Sequence, residues 1–219
     1  ASESGGAIWH QGDLDVIDSM FAGNIASSDS DIVQEARIDC DASSDTDDID
    51  SIYRIECMND SFMFSDFPFI ASQGGAIYVG AVLESVESPR NLKASIDNSE
   101  FNQNSAQGDG GAIYFLGLLQ ILGSRFVENL ALPGTTLSDE YQGSGGAVYG
   151  DNVEIISSEF EGNSAIYDGG AVNVNGQILV SDSSFQSNSS LFGSGGAIYV
   201  VGTLRVSTST FGSTPELNL

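Results

Sequence analysis

The chain has 219 residues and carries six Lys plus Arg against 31 Asp plus Glu, which gives a net charge of −25. Binding to the phosphate backbone of nucleic acids needs basic groups that release counterions, so this composition argues against it, and anionic lipid surfaces are disfavoured in the same way. No run approaches the roughly 18 apolar residues of a membrane-spanning helix. The acidity suits solubility by self-repulsion, or else a cation-rich setting or a basic partner.

The predicted elements follow a motif, Gly-Gly-Ala-Ile/Val, that occurs six times along the chain and is followed by Tyr in four copies, by Trp9 in one and by Asn173 in one. After five of the six copies a Phe follows 15 or 16 residues from the first Gly, and it usually opens a second motif, Phe-x-x-Asn. A motif pair that recurs at a near-fixed interval is typical of a repeat architecture. The copies begin at Gly5, Gly74, Gly110, Gly145, Gly169 and Gly195.

Alignment on the Phe predicts seven rows. Positions seven and five before the Phe are apolar or small with a residue between them, as at Leu119 and Ile121, and spacing of two indicates a strand. No segment sustains the three-four spacing of a helix, so the sequence predicts an all-β chain. The rows end at Phe21, Phe62, Phe101, Phe126, Phe160, Phe185 and Phe211.

A unit of about 25 residues with two or three short strands does not close a core alone, so we expect stacked coils. The predicted fold is a parallel β-helix of about seven coils that spans residues 1–219 as one domain, with ladders of identical side chains inside it. Stacked amides hydrogen-bond from copy to copy. The predicted amide ladder consists of Asn24, Asn104, Asn129, Asn163 and Asn188.

Three insertions interrupt the period, and we expect them to lie outside the stack. Residues 27–51 form an acidic insertion, predicted to project from the rod as a mobile loop, and residues 80–91 and 132–144 form two shorter ones. Irregular loops on a rigid scaffold are the first place to look for specific binding.

Gly-Gly-Ala-Ile/Val followed by Phe-x-x-Asn resembles the repeat of the polymorphic outer-membrane proteins of chlamydiae and related β-helix repeat proteins. The resemblance covers nearly the whole chain outside the insertions. It departs from the pattern at Phe62-Met63-Phe64-Ser65, at Asn173 and in the Phe211 row. The resemblance implies a right-handed, single-stranded parallel β-helix that is exported to an extracytoplasmic location (secreted, cell surface or organelle lumen).

The function we expect is a non-enzymatic structural, adhesive or assembly subunit, whose partners are proteins of a larger assembly or a cell-surface glycan or protein. One alternative is a pectate-lyase-like carbohydrate-active enzyme, because parallel β-helices host such enzymes. Another is an accessory subunit of a larger extracytoplasmic complex. The basic residues are scattered, His10 is the only histidine, and no nucleophile motif or nucleotide-binding fingerprint is present.

An aromatic column is the candidate contact surface. In the Gly-Gly-Ala-Ile-Tyr strand the fourth residue should face inward, so the fifth should face outward, with Asn173 interrupting the series. Such a strip suits stacking on sugar rings or seating a protein partner, and aromatic packing along the ladder is the alternative. Its members are Trp9, Tyr78, Tyr114, Tyr149 and Tyr199.

The acidic insertion is a candidate calcium site, since six carboxylates offer the hard oxygen ligands that Ca²⁺ prefers. Neither the EF-hand nor the calcium-roll pattern is present, and a solvated loop is the alternative; no other cofactor is expected. Cys40 and Cys57 are a candidate disulfide, with a buried free Cys57 as the alternative. The candidate calcium ligands are Asp39, Asp41, Asp45, Asp47, Asp48 and Asp50.

Overall fold

The computed structural model describes residues 7–10, 13–26, 37–39, 74–79, 92–134 and 143–212, with the backbone alone described for 37–39 and Trp9. In these segments all regular secondary structure is β. No helix there is long and apolar enough to cross a membrane. The strands in chain order are β1 (Ile8–His10), β2 (Leu14–Ile17), β3 (Met20–Ala22), β4 (Ile25–Ala26), β5 (Arg37–Asp39), β6 (Ile77–Val79), β7 (Lys93–Asp97), β8 (Glu100–Asn102), β9 (Ser105–Gln107), β10 (Ile113–Leu122), β11 (Arg125–Val127), β12 (Leu130–Leu132), β13 (Val148–Ile156), β14 (Glu159–Glu161), β15 (Ser164–Ala165), β16 (Val172–Ser181), β17 (Ser184–Gln186), β18 (Ser189–Ser190), β19 (Ile198–Val200), β20 (Thr203–Ser207) and β21 (Thr210–Gly212).

The strands form three sheets that are parallel except for β5. The first five described rows contribute to all three sheets, and the last contributes β19, β20 and β21 to two of them. The first sheet holds the Gly-Gly-Ala strand and the strand after it, which run on continuously in β10, β13 and β16. The second sheet holds the strands that contain the repeated Phe, and the third holds the short strands after the Asn. Equivalent residues pair in register, as Ile113 does with Ile77 on one side and Val148 on the other. The predicted all-β parallel β-helix is therefore confirmed.

The core lies between the sheets and is built from ladders of the same side chain. Successive Phe rings from Phe21 to Phe211 stack nearly parallel, with centroids 4.7 to 4.9 Å apart. The Phe side chains from Phe21 to Phe185 are at most 2% exposed. Offset stacking of this kind adds to the large apolar area that each ring buries. In the last described row the inward side chains are about half exposed: Leu204 46%, Val206 44% and Phe211 48%.

The predicted amide ladder is continuous. Asn104 donates from its backbone N–H and from Nδ2 to Oδ1 of Asn129, at 3.0 and 2.9 Å. Asn129 does the same toward Asn163 and also donates from Nδ2 to the carbonyl of Phe101. A parallel ladder of Ser hydroxyls runs beside it: the backbone N–H of Ser99 donates to Oγ of Ser124, which itself donates to the carbonyl of Leu122. These side chains satisfy buried backbone groups at the coil corners.

The two positions of the glycine pair require glycine for different structural reasons. Gly110 has φ +70°, a left-handed conformation that side-chain-bearing residues adopt only with strain. At Gly111 a Cβ would lie 2.0 Å from the carbonyl oxygen of Gly146 in the next row. The first glycine is needed for the turn and the second for the close approach of neighbouring coils.

The described strands form six rows, and the row predicted at Phe62 is not among them. Phe21 pairs directly with Phe101, with ring centroids 4.8 Å apart, so no row lies between them. Phe62 itself, with Cys57, lies outside the described residues. The physical reason is visible in the sequence: no glycine pair lies 15 or 16 residues before Phe62, where five of the other rows have the pair that makes the turn.

One part of the acidic insertion lies against the stack. Within residues 27–51, Arg37–Asp39 pairs antiparallel with β3, and Ile38 lies opposite Phe21. The expectation that this insertion projects from the rod is wrong for these three residues. Pairing satisfies the outer backbone edge of the first Phe strand, which would otherwise be an open sheet edge. Residues 80–91 and 135–142 of the other predicted insertions lie outside the described residues.

Candidate functional site

The predicted aromatic column runs along one register of the first sheet. The backbone of Trp9 pairs with Tyr78, Tyr78 with Tyr114, and Tyr114 with Tyr149. The column continues through Asn173 to Tyr199. These residues alternate with inward aliphatic residues such as Ile77, so they lie on the outer face of their strands.

The column is largely closed at Tyr78 and Tyr114. The rings of Tyr78 and Tyr114 stack with centroids 5.2 Å apart, and those of Tyr114 and Tyr149 are 5.1 Å apart. Tyr78 and Tyr114 are each only 7% exposed, whereas Tyr149 and Tyr199 are half-buried. Tyr78 and Tyr114 therefore present little surface to a partner, and among the described side chains of the column Tyr149 and Tyr199 are the more accessible.

The stack is interrupted at Asn173, which leaves a slot between Tyr149 and Tyr199. Two rows at the usual strand spacing place these rings roughly 10 Å apart. A depression of about 240 Å³ lies here. We call it the Asn173 slot. The residues that line it are Asp109, Ser144, Tyr149, Asp168, Asn173, Asn175, Tyr199 and Val201.

One wall of the Asn173 slot is a ladder of Asp and Ser at the position before the last four glycine pairs. The backbone N–H of Ser144 donates to Oδ1 of Asp109 at 2.7 Å, and that of Ser194 donates to Oδ1 of Asp168, also at 2.7 Å. The backbone N–H of Asp168 lies 3.3 Å from Oγ of Ser144. The carboxylates are thereby fixed on the rigid turn rather than on a loop.

Burial controls the ionisation of one of these carboxylates. Desolvation raises the pKa of Asp109 to about 6, although the backbone N–H groups of Ser144 and Gly143 counteract part of the shift by bonding the charged form. A carboxylate in this environment gains from a nearby cation, because a cation favours its ionised form.

The amide of Asn173 is incompletely satisfied. Its side chain is 4% exposed, and its buried Oδ1 has no hydrogen-bond partner. Its Nδ2 lies 3.5 Å from the carbonyl of Asp168, at the limit of a hydrogen bond. The neighbouring Asn175 donates from Nδ2 to Oη of Tyr149 at 2.6 Å. A buried acceptor without a donor costs about 1–3 kcal/mol, so this position favours a ligand that supplies one.

A second depression lies on the outer face of the strands that follow the Tyr column. It is an open groove of about 500 Å³, whose lining includes Leu118, Glu154, Leu179 and Arg205. Leu118 and Leu179 are 47% and 39% exposed. The groove contains one basic side chain, Arg205, and one acidic side chain, Glu154. If the chain were a carbohydrate-active enzyme, this groove would be the place for its substrate.

Arg125 is held in a structural network on another face. Its guanidinium contacts Glu159 at 3.1 Å, Glu161 at 2.8 Å and Glu100 at 3.4 Å. These groups are each about one-third to one-half exposed, so the pairs contribute little stability individually. The network relieves repulsion along a column of carboxylates.

The predicted calcium and disulfide sites are not reached by the described residues. Only the backbone of Asp39 is described, and Asp41, Asp45, Asp47, Asp48, Asp50, Cys40 and Cys57 lie outside. In the part of the chain that the structure describes, no group of three or more His, Cys, Asp or Glu side chains could hold a metal ion. Both sites remain predictions.

Sequence reasoning had noted Asn173 only as a break in the column, and it missed Asp109 and Asp168. The signal was present in the letters before the glycine pairs: Asp109, Ser144, Asp168 and Ser194 alternate from row to row. Their burial, however, depends on how the turns stack, which the letters alone do not give.

The comparison with family models bears on one short stretch that joins the two motifs of the repeat. Residues 98–116 match the model described as the Chlamydia polymorphic membrane protein (Chlamydia_PMP) repeat. The chain carries this repeat. The matched stretch contains Phe101, Asn104 and the motif from Gly110 to Tyr114, so the predicted resemblance is confirmed there. No curated protein and no solved structure matches the chain.

The Chlamydia_PMP repeat points to a surface or outer-membrane-associated protein, broadly extracytoplasmic. The family of this repeat is not an enzyme family. Both statements describe the repeat family that residues 98–116 match.

Proposed function

We propose that the chain is a non-enzymatic structural or adhesive subunit that presents contact surfaces on a rigid β-helix outside the cytoplasm. The observation that carries this proposal is the in-register stacking of six rows. Each outward column, such as Gln120, Glu154 and Leu179, repeats at the strand spacing along a straight face. A periodic, rigid surface suits contact with an extended partner or with neighbouring subunits.

Charge defines the class of partner. With 31 acidic against six basic residues, the surface attracts basic proteins and repels acidic ones at long range. Protein partners of a larger extracytoplasmic assembly fit this better than anionic glycans. The accessory-subunit role is the same proposal with a fixed partner, and the test below separates the two.

The carbohydrate-active alternative is favoured by one observation, the groove that contains Arg205 and Glu154. A lyase needs a base or charge neutraliser beside carboxylates, and this groove supplies one of each. It is the place where an enzyme assay should be aimed.

The test is native mass spectrometry of the protein after mild extraction from its source cells, beside an assay for polysaccharide cleavage. The proposal predicts a stoichiometric complex with basic protein partners and no release of reducing ends or unsaturated uronides. A clean monomer without partners would leave only adhesion. Cleavage that is lost in Arg205→Ala would overturn the proposal in favour of the enzyme, provided that circular dichroism shows the variant folded.

A further inference from the structure

The Asn173 slot has the shape of an intercalation site. In the Tyr column from Tyr78 to Tyr149, each ring stacks on the ring of the neighbouring row with centroids about 5 Å apart. Between Tyr149 and Tyr199 that ring is missing, because Asn173 occupies the register position. A planar group inserted there would face an aromatic ring on each side, about 5 Å from each.

The polar groups of the slot select the chemistry of that planar group. Asp109 and Asp168 supply carboxylates, Asn173 supplies an acceptor without a donor, and none of the lining residues is basic. The slot therefore offers acceptors and negative charge to its occupant. A planar, cationic ligand rich in N–H donors matches the two flanking rings, the carboxylates and the acceptor of Asn173.

We propose that the Asn173 slot binds a guanidinium group, presented as an arginine side chain of a basic partner protein. The guanidinium plane stacks between Tyr149 and Tyr199, where cation–π attraction and desolvation act together. Its N–H groups bond the carboxylate of Asp168 and Oδ1 of Asn173. The amide oxygen is covered in the free protein, so the Asn173 amide turns about its soft terminal torsion to meet the donor.

Lysine and neutral sugars fit the same site less well. An ammonium group is a compact point charge that does not stack as a plane between two rings. A sugar ring stacks on aromatic faces but brings no charge to the buried Asp109, whose carboxylate is 5% exposed. The burial of that acid is what makes the cation the better occupant.

The test uses small probes, so it is independent of any partner. N-acetyl-arginine methylamide is titrated into the ¹⁵N-labelled chain and followed by NMR, beside the matched citrulline and lysine probes and methyl glucoside. Citrulline keeps the shape and removes the charge. We expect the arginine probe to shift the Asn173 side-chain and Gly169 backbone signals saturably, and to bind at least about tenfold tighter than the citrulline probe.

Variants locate the site. Asn173→Tyr completes the stack and should abolish binding, and Asp168→Asn should weaken it by about fivefold or more. Glu128→Gln, an exposed carboxylate on another face, removes the same charge and should leave binding unchanged. If Asn173→Tyr does not fold by circular dichroism, Tyr199→Leu takes its place as the variant that removes one wall.

Four outcomes would overturn the proposal. The arginine probe causes no saturable shift, the citrulline probe binds as tightly as the arginine probe, methyl glucoside binds more tightly than the arginine probe, or Asn173→Tyr binds the arginine probe as tightly as the wild type. The slot extends the proposed contact role to a particular partner chemistry. It can fail while native complexes still form through other faces, and it can hold when the purified chain is a monomer.

Discussion

At the scale of single residues, the glycine pair is the most constrained feature of the repeat. The second glycine of four pairs packs its Cα against the backbone of the next row, at Gly75, Gly111, Gly146 and Gly170. At Gly146 an added Cβ would lie 2.0 Å from the carbonyl oxygen of Gly170. This oxygen belongs to the backbone, so it cannot move aside as the end of a flexible side chain could. Relief of this clash requires separation of two coils.

We therefore expect Gly146→Ala to destabilise the fold by more than about 4 kcal/mol, measured by denaturant unfolding. Gly123→Asn is the matched control, because Gly123 has φ +53° and open space around its Cβ position. Other rows carry residues such as Asp18, Asn98 and Ser157 at this corner with the same positive φ. The control should change stability by less than about 1 kcal/mol; similar losses in the two variants would contradict the close-approach argument.

Asp109 gives a pH-dependent prediction at the same scale. Its pKa in the folded state, about 6, lies above the ordinary value of 3.8, so the folded state binds the proton more tightly than the unfolded chain. Its contribution is then most favourable below pH 4 and is lost as the pH rises to about 6. Two pKa units correspond to about 3 kcal/mol, the upper end of the expected effect.

Asp109→Asn keeps an oxygen for the N–H of Ser144 and removes the charge. The variant should be more stable than the wild type at pH 7, and the difference between them should shrink as the pH falls from 6 to 4. Chemical unfolding at several pH values measures it, with Asp18→Asn as an exposed control. A difference that is constant over this range would sink the argument.

The sequence predicted the position of the Tyr column and left open whether its rings are exposed or packed along the ladder. Alternation along the strand places the fifth motif residue opposite the inward aliphatic one, and this needs only local geometry. Whether a ring such as Tyr114 or Tyr149 is covered depends on what packs over the sheet from elsewhere in the chain. That information is absent from a periodic pattern.

At the scale of elements, the Asn ladder links the second and third sheets at every coil. Asn129 accepts two hydrogen bonds from Asn104 and donates to the carbonyl of Phe101 and to Asn163. All of these groups are buried, so removal of one amide leaves several polar groups unpaired on both sides. The ladder is therefore expected to behave as a unit.

Asn129→Ala should cost about 3 kcal/mol or more of unfolding free energy, since buried donors lose their acceptor. Asn102→Ala, on the outer face of β8 and half-buried, is the control and should cost less than about 1 kcal/mol. Equal effects in urea unfolding would mean that the ladder is not a principal source of stability.

The repeat pattern predicted which strands pair but misplaced one row. Columns of Phe, Ser and Asn identify residues that lie above one another, because identical residues recur at the same turn. The Phe62 row was inferred from the Phe and two apolar positions alone. No glycine pair lies 15 or 16 residues before Phe62, and Phe21 stacks directly on Phe101.

At the scale of the whole molecule, the net charge of −25 opposes compaction. Salt screens this repulsion, since the Debye length falls from about 30 Å at 0.01 M to about 8 Å at 0.15 M ionic strength. We expect the melting temperature to rise by about 2–4 °C or more over that range, because 1 kcal/mol corresponds to about that shift at this size. Sodium and choline chloride should act equally; an effect of sodium alone would indicate ion binding.

Calcium chloride at matched ionic strength tests the predicted acidic site. Screening alone predicts about the same melting temperature as sodium chloride, whereas a specific site in the acidic insertion predicts an additional rise that saturates with concentration. The additional rise in melting temperature should disappear in the double variant Asp45→Asn/Asp47→Asn. An equal response to both salts in the wild type would remove the calcium prediction.

The central structural claim is that the rows form one register-matched stack in which the Phe21 row lies directly against the Phe101 row. Ala22 and Gln186 occupy the same outward register in rows one and five, linked through Asn102, Val127 and Glu161. Spin labels at these two positions, in a Cys40→Ser, Cys57→Ser background, report their separation by double electron–electron resonance. Four strand spacings predict a narrow distribution centred at about 19 Å. A centre at about 24 Å would restore the row at Phe62, and a broad distribution would contradict the stack itself.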